Sequence, residues 1–250
     1  MSAEAEMNYA LQDAKELKTG QYVILNNALP QTNMKKLKAV SSKLVGLKSA
    51  PIYIAQEKLL GANILERYNA AGVNAILERA APWLEATIGK RWLILANKVL
   101  LRRTWPISES HAQTLGHNAS NLTWHQDSNY KHGSSPMMVV MASLDDGAAR
   151  TRPGLSILEL ATNKFEGVFG YEGDRTAEFK EKIVREHGKF KAANPELNSG
   201  DLLIFNGLTF HRTFANQDMR SHRDALLVRV IRPEDAKNFP KAPHLTVKRY

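Results

Sequence analysis

The spacing of hydrophobic residues changes near residue 91. Before that point, apolar residues recur mostly with the 3.6-residue period of amphipathic helices. The helical stretches are residues 4–18, residues 32–47 with a basic polar face, and residues 56–88. The last stretch is expected to form one or two helices, with Gly72 and Pro82 as interruptions, and the apolar run 22–25 predicts a strand. These helices are expected to pack against the outside of a sheet.

After residue 91 the pattern consists of short apolar runs separated by turn residues, as in β proteins. The predicted strands are 92–95, 98–101, the segment containing His125, 137–142, 155–158, 201–205, 208–214 and 225–231. One helical insertion is predicted at 176–187. Short strands parted by turns favour an all-β core over a parallel α/β sheet. The sequence therefore predicts a single domain spanning 1–250, mainly β with α additions, with a helical N-terminal part (1–90) and a β core (91–232).

The composition is typical of an ordinary enzyme. The chain has 250 residues, 43% of them hydrophobic, and no cysteine. Without cysteine, disulfides, thiolate nucleophiles and zinc–cysteine sites are excluded. The chain carries no apolar run of membrane-spanning length, and its first six residues resemble neither a signal-peptide core nor a transit peptide. We therefore expect a cytoplasmic protein.

The net charge of +9 indicates anionic partners. Carboxylated or phosphorylated small molecules and nucleic acids all meet that condition. The basic residues are spread along the chain, with a mild excess in the C-terminal third, and no aromatic-basic stacking motif accompanies them. Nucleic acid is therefore not the expected partner, and most of these charges are expected to be solvated.

The candidate chemistry lies in the triplet His125-Gln126-Asp127 and in the distant His211. On a strand, residues i and i+2 point to the same side, so His125 and Asp127 can reach one ion while Gln126 faces away. His211, on a second strand, would complete a facial triad of two histidines and one carboxylate, which suits Fe(II). An isolated H-x-D triplet is more often a structural or solvated pair, so other residues must support this interpretation.

Support comes from residues that follow His211. Thr213 lies two positions further on, and Arg223 stands at the start of the apolar run that ends at Ile231. A guanidinium in that place can hold a carboxylate in a bidentate contact, assisted by the threonine hydroxyl. The alternatives are that Arg223 is a surface or ion-pair arginine, or that Arg220 is the anchor instead. Arg223 is preferred because the predicted strand starts there, whereas Arg220 lies in a polar turn.

Together these residues resemble the phytanoyl-CoA dioxygenase family of Fe(II)/2-oxoglutarate-dependent oxygenases. The resemblance covers residues 95–232 and is carried by Trp124-His125-Gln126-Asp127, Pro153-Gly154-Leu155, 200–205, His211 with Thr213 and Asn216, and Arg223. It implies a double-stranded β-helix (jelly roll) buttressed by N-terminal helices. It also implies that His125, Asp127 and His211 bind Fe(II), and that Arg223 and Thr213 bind the cosubstrate 2-oxoglutarate.

The implied activity is the hydroxylation or desaturation of an unactivated C–H bond in a small, anionic metabolite, with O2 as co-reactant. The carboxylate of Asp127 disfavours halogenation, since related halogenases have a small residue there. Two alternatives stay open: a macromolecule demethylase or hydroxylase of the same chemistry, and a non-catalytic metal- or ligand-binding jelly roll. The arginine-rich segment 145–154 departs from the family pattern and bears on the substrate pocket.

Several other residues are weaker candidates for lining the site. Loop histidines near the triplet, aromatic or methionine side chains, and inward-facing arginines could contact substrate, although surface or core positions are the usual outcome for such residues. They are His111, His117 and His132; Trp124, Tyr130 and Met137; and Arg102, Arg103 and Arg229.

Overall fold

The computed structural model describes residues 14–45, 72–95, 99–104, 124–127, 137–162, 176–216, 218–238 and 244–246. Its strands are β1 (Tyr22–Leu25), β2 (Leu93–Leu95), β3 (Leu100–Thr104), β4 (Met137–Ser143), β5 (Gly154–Leu158), β6 (Ala192–Ala193), β7 (Leu202–Asn206), β8 (His211–Phe214), β9 (Arg223–Ile231) and β10 (His244–Thr246). Its helices are α1 (Gln31–Val45), α2 (Val73–Ile88), α3 (Thr176–His187) and a 3-10 helix at Pro233–Asn238.

The strands form two antiparallel sheets. The larger sheet has the order β1-β7-β4-β9-β2-β10, with β3 also paired to β9, and the smaller has the order β6-β5-β8. Neighbours in both sheets lie far apart in the sequence: β4, for example, pairs with β7 on one side and β9 on the other. This crossed order is that of a double-stranded β-helix. The predicted fold, mainly β with α additions, is confirmed.

The central strands of the larger sheet are buried on both faces, so their sequences are apolar runs rather than alternating patterns. On one face, Met138, Val140 and Ala142 of β4 join a core cluster with helix α2. On the other face, Val139 and Met141 pack with Leu155 and Ile157 of the smaller sheet. This apolar cluster fills part of the space between the two sheets. Buried polar side chains also point into that space.

Helix α2 supports the larger sheet from outside. Gly72 stands directly before the helix, as predicted for an interruption, but the helix continues through Pro82. A proline inside a helix removes one hydrogen bond and clashes with the preceding turn. Burial of Ile76, Leu77 and Leu84 against the sheet outweighs that cost, because helices in proteins are stabilised mainly by packing. The prediction of a break at Pro82 was therefore wrong.

Other predicted boundaries differ by a few residues. Helix α3 has the predicted bounds, whereas residues 14–18 are not helical and residues 208–210 form a turn before β8. The segment at His125 is an isolated bridge rather than a strand. Several predictions lie outside what the structure describes. They are those for residues 4–13 and 56–71 and those for the side chains of Arg102, Arg103, His111, His117, Tyr130 and His132. No described helix has the length and apolar character needed to cross a bilayer.

Candidate metal centre

The two candidate histidines are joined through their backbones. The N–H of His125 donates to the carbonyl of His211 at 3.0 Å, and the N–H of His211 donates back to the carbonyl of His125 at 2.9 Å. This reciprocal bridge extends the smaller sheet beyond β8 and places the imidazole centroids 4.3 Å apart. Sheet pairing therefore brings together two imidazole rings from distant parts of the chain.

Asp127 completes the cluster. Its Oδ1 lies 3.9 Å from Nε2 of His125, and its Oδ2 lies 3.8 Å from Nε2 of His211. One ligand atom from each of the three residues lies within 4.8 Å of the others. An ion bonded at about 2.1 Å to each ligand would bring them to about 3 Å from one another. Small side-chain rotations are enough to reach that spacing, so the three residues fit one metal ion.

The hydrogen bonding of His211 fixes which of its nitrogens faces the cluster. Nδ1 lies 3.0 Å from the carbonyl oxygen of Thr209, which can only accept a hydrogen bond, so Nδ1 carries the proton. The lone pair is then on Nε2, the atom directed at Asp127. Phe205 packs edge-on against the ring at 4.9 Å, and His211 is buried. The imidazole is held in the form that a metal requires.

The triplet is anchored by its other side chains. Gln126 faces away from the cluster, as the spacing of two predicts, and its Nε2 donates to the carbonyl of Leu208 at 2.7 Å. Trp124 is buried and stacks on Phe179 of α3 with ring centroids 5.7 Å apart. Trp124 therefore belongs to the core rather than to a pocket lining. Gln126 therefore holds the segment against the loop that leads to His211, and Trp124 holds it against α3.

Asp127 also forms an ion pair with Arg229 of β9. Nε and Nη2 of Arg229 both donate to Oδ2 of Asp127, at 2.9 and 2.7 Å. Burial acts to raise the pKa of the Asp127 carboxyl, but the guanidinium of Arg229 and the neighbouring imidazoles of His211 and His125 outweigh it and hold the pKa below its usual range. Asp127 is therefore ionised at neutral pH. From its position on the strand, Arg229 was expected to point inward and to contact an anionic substrate. In the structure it points inward and pairs with Asp127.

The two candidate cosubstrate residues are buried. Arg223 is 1% exposed, and its guanidinium donates to Thr104 Oγ1 at 3.5 Å and to Met141 Sδ at 3.6 Å. Arg223 lies on the same face of β9 as Arg229, since the two lie six positions apart. Thr213 is also 1% exposed and shares a face of β8 with His211. Arg220, the alternative anchor, is exposed to solvent.

A second cluster, Asp145, His222 and Asp224, was not found from the sequence. One ligand atom from each lies within 4.8 Å of the others. Asp145 already has a structural role, because its Oδ2 accepts the backbone N–H of Asp224 at 2.7 Å. That bond ties the turn after β4 to the start of β9, the strand that carries Arg223 and Arg229.

The fold is shared with solved structures of alpha-ketoglutarate-dependent enzymes. No protein-family model and no curated protein matches the chain. The epimerase SnoN, solved with Fe3+, alpha-ketoglutarate and nogalamycin RO, is 12% identical over 92% of this chain and 84% of its own, with a TM-score of 0.60. The alpha-ketoglutarate-dependent carbocyclase SnoK from nogalamycin biosynthesis is 14% identical over 100% and 95%, with a TM-score of 0.59.

A third similar structure is HygX from Streptomyces hygroscopicus, solved with nickel and 2-oxoglutarate. It is 12% identical over 93% of this chain and 88% of its own, with a TM-score of 0.54. At these identities the comparisons establish the fold, a double-stranded β-helix that non-heme alpha-ketoglutarate-dependent enzymes also have. The narrower resemblance to the phytanoyl-CoA dioxygenase family stays a prediction.

Proposed function

We propose that the protein is an Fe(II)- and 2-oxoglutarate-dependent oxygenase that acts on a small molecule. The observation that carries the proposal is the meeting of His125, Asp127 and His211, whose ligand atoms lie within 4.8 Å of one another. Two imidazoles and one carboxylate form the donor set of non-heme Fe(II) oxygenases, whereas calcium and magnesium prefer oxygen ligands alone. The solved complexes of SnoN with Fe3+ and alpha-ketoglutarate and of HygX with nickel and 2-oxoglutarate support this choice.

Different residues of the chain would bind the metal and the cosubstrate. His125, His211 and Asp127 hold the metal, with the Nε2 lone pair of His211 already directed inward. Arg223 takes the distal carboxylate of 2-oxoglutarate, because a buried guanidinium can supply two parallel donors to it. Thr213 adds a hydroxyl donor from the neighbouring sheet. When bound, iron with 2-oxoglutarate and O2 supplies the oxidation of an unactivated C–H bond, coupled to loss of CO2 and formation of succinate.

The proposed outcome is hydroxylation or desaturation of a small, anionic metabolite. The net charge of +9 favours such a substrate, and it also favours attraction of the dianionic cosubstrate. SnoN is described as an epimerase and SnoK as a carbocyclase, so one fold supports several outcomes after C–H activation. The positions of substrate carbons relative to the metal, rather than the triad, would decide the product.

Succinate formation tests the proposal. Purified protein is supplied with Fe(II), ascorbate and 2-oxoglutarate, and succinate is quantified in the presence of a panel of carboxylated and phosphorylated metabolites. We expect turnover that a subset of the panel stimulates and that His211→Ala abolishes while the variant stays folded. Folded wild-type protein that forms no succinate with any member of the panel, with or without a bound divalent metal, would instead indicate a non-catalytic metal- or ligand-binding jelly roll.

A further inference from the structure

Arg229 makes an unusual contact for a residue next to a metal ligand. It lies on the inner face of β9, opposite Val139 of β4, and is 7% exposed. Its Nε and Nη2 converge on one oxygen of Asp127, at 2.9 and 2.7 Å. Such charge-assisted bonds are short and strong, and they lose little energy to solvent in a buried position.

The first consequence concerns which oxygen of Asp127 can bind a metal. A carboxylate oxygen has two lone-pair directions, and the two donors of Arg229 occupy those of Oδ2. Oδ1 is directed at His125, whose Nε2 lies 3.9 Å away. Asp127 is therefore presented with Oδ1 as the oxygen that Arg229 does not hold, and the paired donors on Oδ2 oppose exchange of the two oxygens.

The second consequence concerns charge. Histidines bind metals in their neutral form, so the only negative charge among the three ligands is that of Asp127. The positive charge of Arg229 already offsets it. A divalent ion entering this buried position would keep its charge of +2 uncompensated, which is costly in a low-dielectric interior. A dianionic co-ligand such as 2-oxoglutarate would lower the net positive charge of the site by two.

We propose that Arg229 is a positioning residue for Asp127, which it presents as a one-oxygen ligand, and that its charge makes tight metal binding depend on a dianionic co-ligand. The inference rests on the proposed function. A purely structural role of the ion pair predicts the opposite change in metal affinity when Arg229 is replaced. Removing a structural support weakens metal binding, whereas removing a neighbouring positive charge strengthens the binding of a cation in the absence of co-ligand.

The test is a titration with Mn2+, followed by the electron paramagnetic resonance signal of the free ion, at neutral pH with and without 2-oxoglutarate. Arg229→Gln removes the charge, and Arg229→Lys keeps it. Arg232→Gln is the matched control, because Arg232 makes a similar 2.7 Å bond to Asp235 outside the site. We expect Arg229→Gln to bind Mn2+ alone at least about tenfold more tightly than wild type, with a smaller gain on adding 2-oxoglutarate. Arg229→Lys and Arg232→Gln should remain near wild type.

The outcomes separate this inference from the proposed function. Wild-type protein that binds Mn2+ with 2-oxoglutarate, together with an Arg229→Gln variant that binds Mn2+ alone no better than wild type, overturns the role of Arg229 and leaves the oxygenase assignment standing. Wild-type protein that binds no Mn2+ under either condition withdraws both.

A second measurement uses wild-type protein alone and remains decisive if Arg229→Gln does not fold. Protein labelled with 15N-arginine is examined by NMR before and after loading with Zn2+ and 2-oxoglutarate. The Nε–H of Arg229 should stay protected from exchange with solvent in the loaded protein, because the guanidinium remains on Oδ2 while the metal takes Oδ1. Loss of that protection on loading overturns the inference.

Discussion

Replacing Arg223 with leucine should raise the concentration of 2-oxoglutarate that the protein requires, without abolishing metal binding. Arg223 is 1% exposed and lies on the interior face of β9, beside Ala225 and Leu227 of the cluster between the sheets. Leucine is compatible with these apolar neighbours, so the change removes the guanidinium while the strand keeps its packing. The substitution leaves all three proposed metal ligands unchanged.

The magnitude follows from the contact that is lost. Hydrogen bonds to charged groups contribute about 1.5–3 kcal/mol each, and a bidentate guanidinium–carboxylate contact is among the stronger ones. The contacts that Arg223 makes with Thr104 and Met141, at 3.5 and 3.6 Å, are longer than a strong hydrogen bond to oxygen, so a carboxylate can compete for the same donors. We therefore expect an affinity loss of roughly ten- to hundredfold.

The assay is calorimetric titration of 2-oxoglutarate into protein loaded with Mn2+, which holds the site without turnover. Arg223→Lys should recover part of the loss, since an ammonium cannot reproduce the planar fork. Arg220→Leu is the matched control, because Arg220 is exposed to solvent three residues before β9. If Arg220→Leu has the larger effect, Arg220 is the anchor. If neither change alters the affinity, the assignment of 2-oxoglutarate is wrong.

Three further predictions concern the proposed ligand Asp127 and Gly154 at the start of β5. With excess chloride, mass spectrometry should find a hydroxylated or desaturated product and no chlorinated main product, because Asp127 occupies the ligand position that chloride would need. The folded-state pKa of Asp127 is depressed, so its charge stabilises the fold above about pH 4, and this stabilisation is lost as the pH falls towards the folded-state pKa. The difference in unfolding free energy between metal-free wild type and Asp127→Asn, measured in urea, should therefore narrow from pH 6 to pH 3; a widening difference contradicts the assignment. Gly154→Ala should destabilise the protein by about 1–3 kcal/mol in thermal unfolding, because the added Cβ would lie 2.4 Å from Cβ of Ala149, and unchanged stability would show that the turn yields.

Local spacing in the sequence was enough to predict much of the candidate site. A separation of two placed His125 and Asp127 on one side and Gln126 on the other, which is the arrangement in the structure. The mainly β class followed from the change of hydrophobic period near residue 91, and the jelly-roll architecture from the family resemblance. That these residues hold iron, and that Arg223 and Thr213 hold 2-oxoglutarate, stays a prediction.

Features that depend on long-range packing were not predictable from the sequence. The ion pair between Asp127 and Arg229 joins residues 102 positions apart and depends on how β9 lies relative to the bridge of His125. Helix α2 continues through Pro82 because of contacts with a sheet formed by later residues. Local propensity indicated a break there, and tertiary packing overrode it.

The reciprocal backbone bonds between His125 and His211 bear on how the proposed metal would be acquired. In small zinc domains the ion itself supplies much of the free energy of folding, so the apo chain is unfolded. Here two main-chain hydrogen bonds bring His125 and His211 together. The guanidinium of Arg229 also offsets the negative charge of Asp127, which an ion would otherwise offset. We therefore expect the chain to complete its fold before an ion binds. A protein assembled in this order can lose an oxidised ion and take up a fresh one without unfolding, so chelation followed by reloading should restore it from a folded apo form.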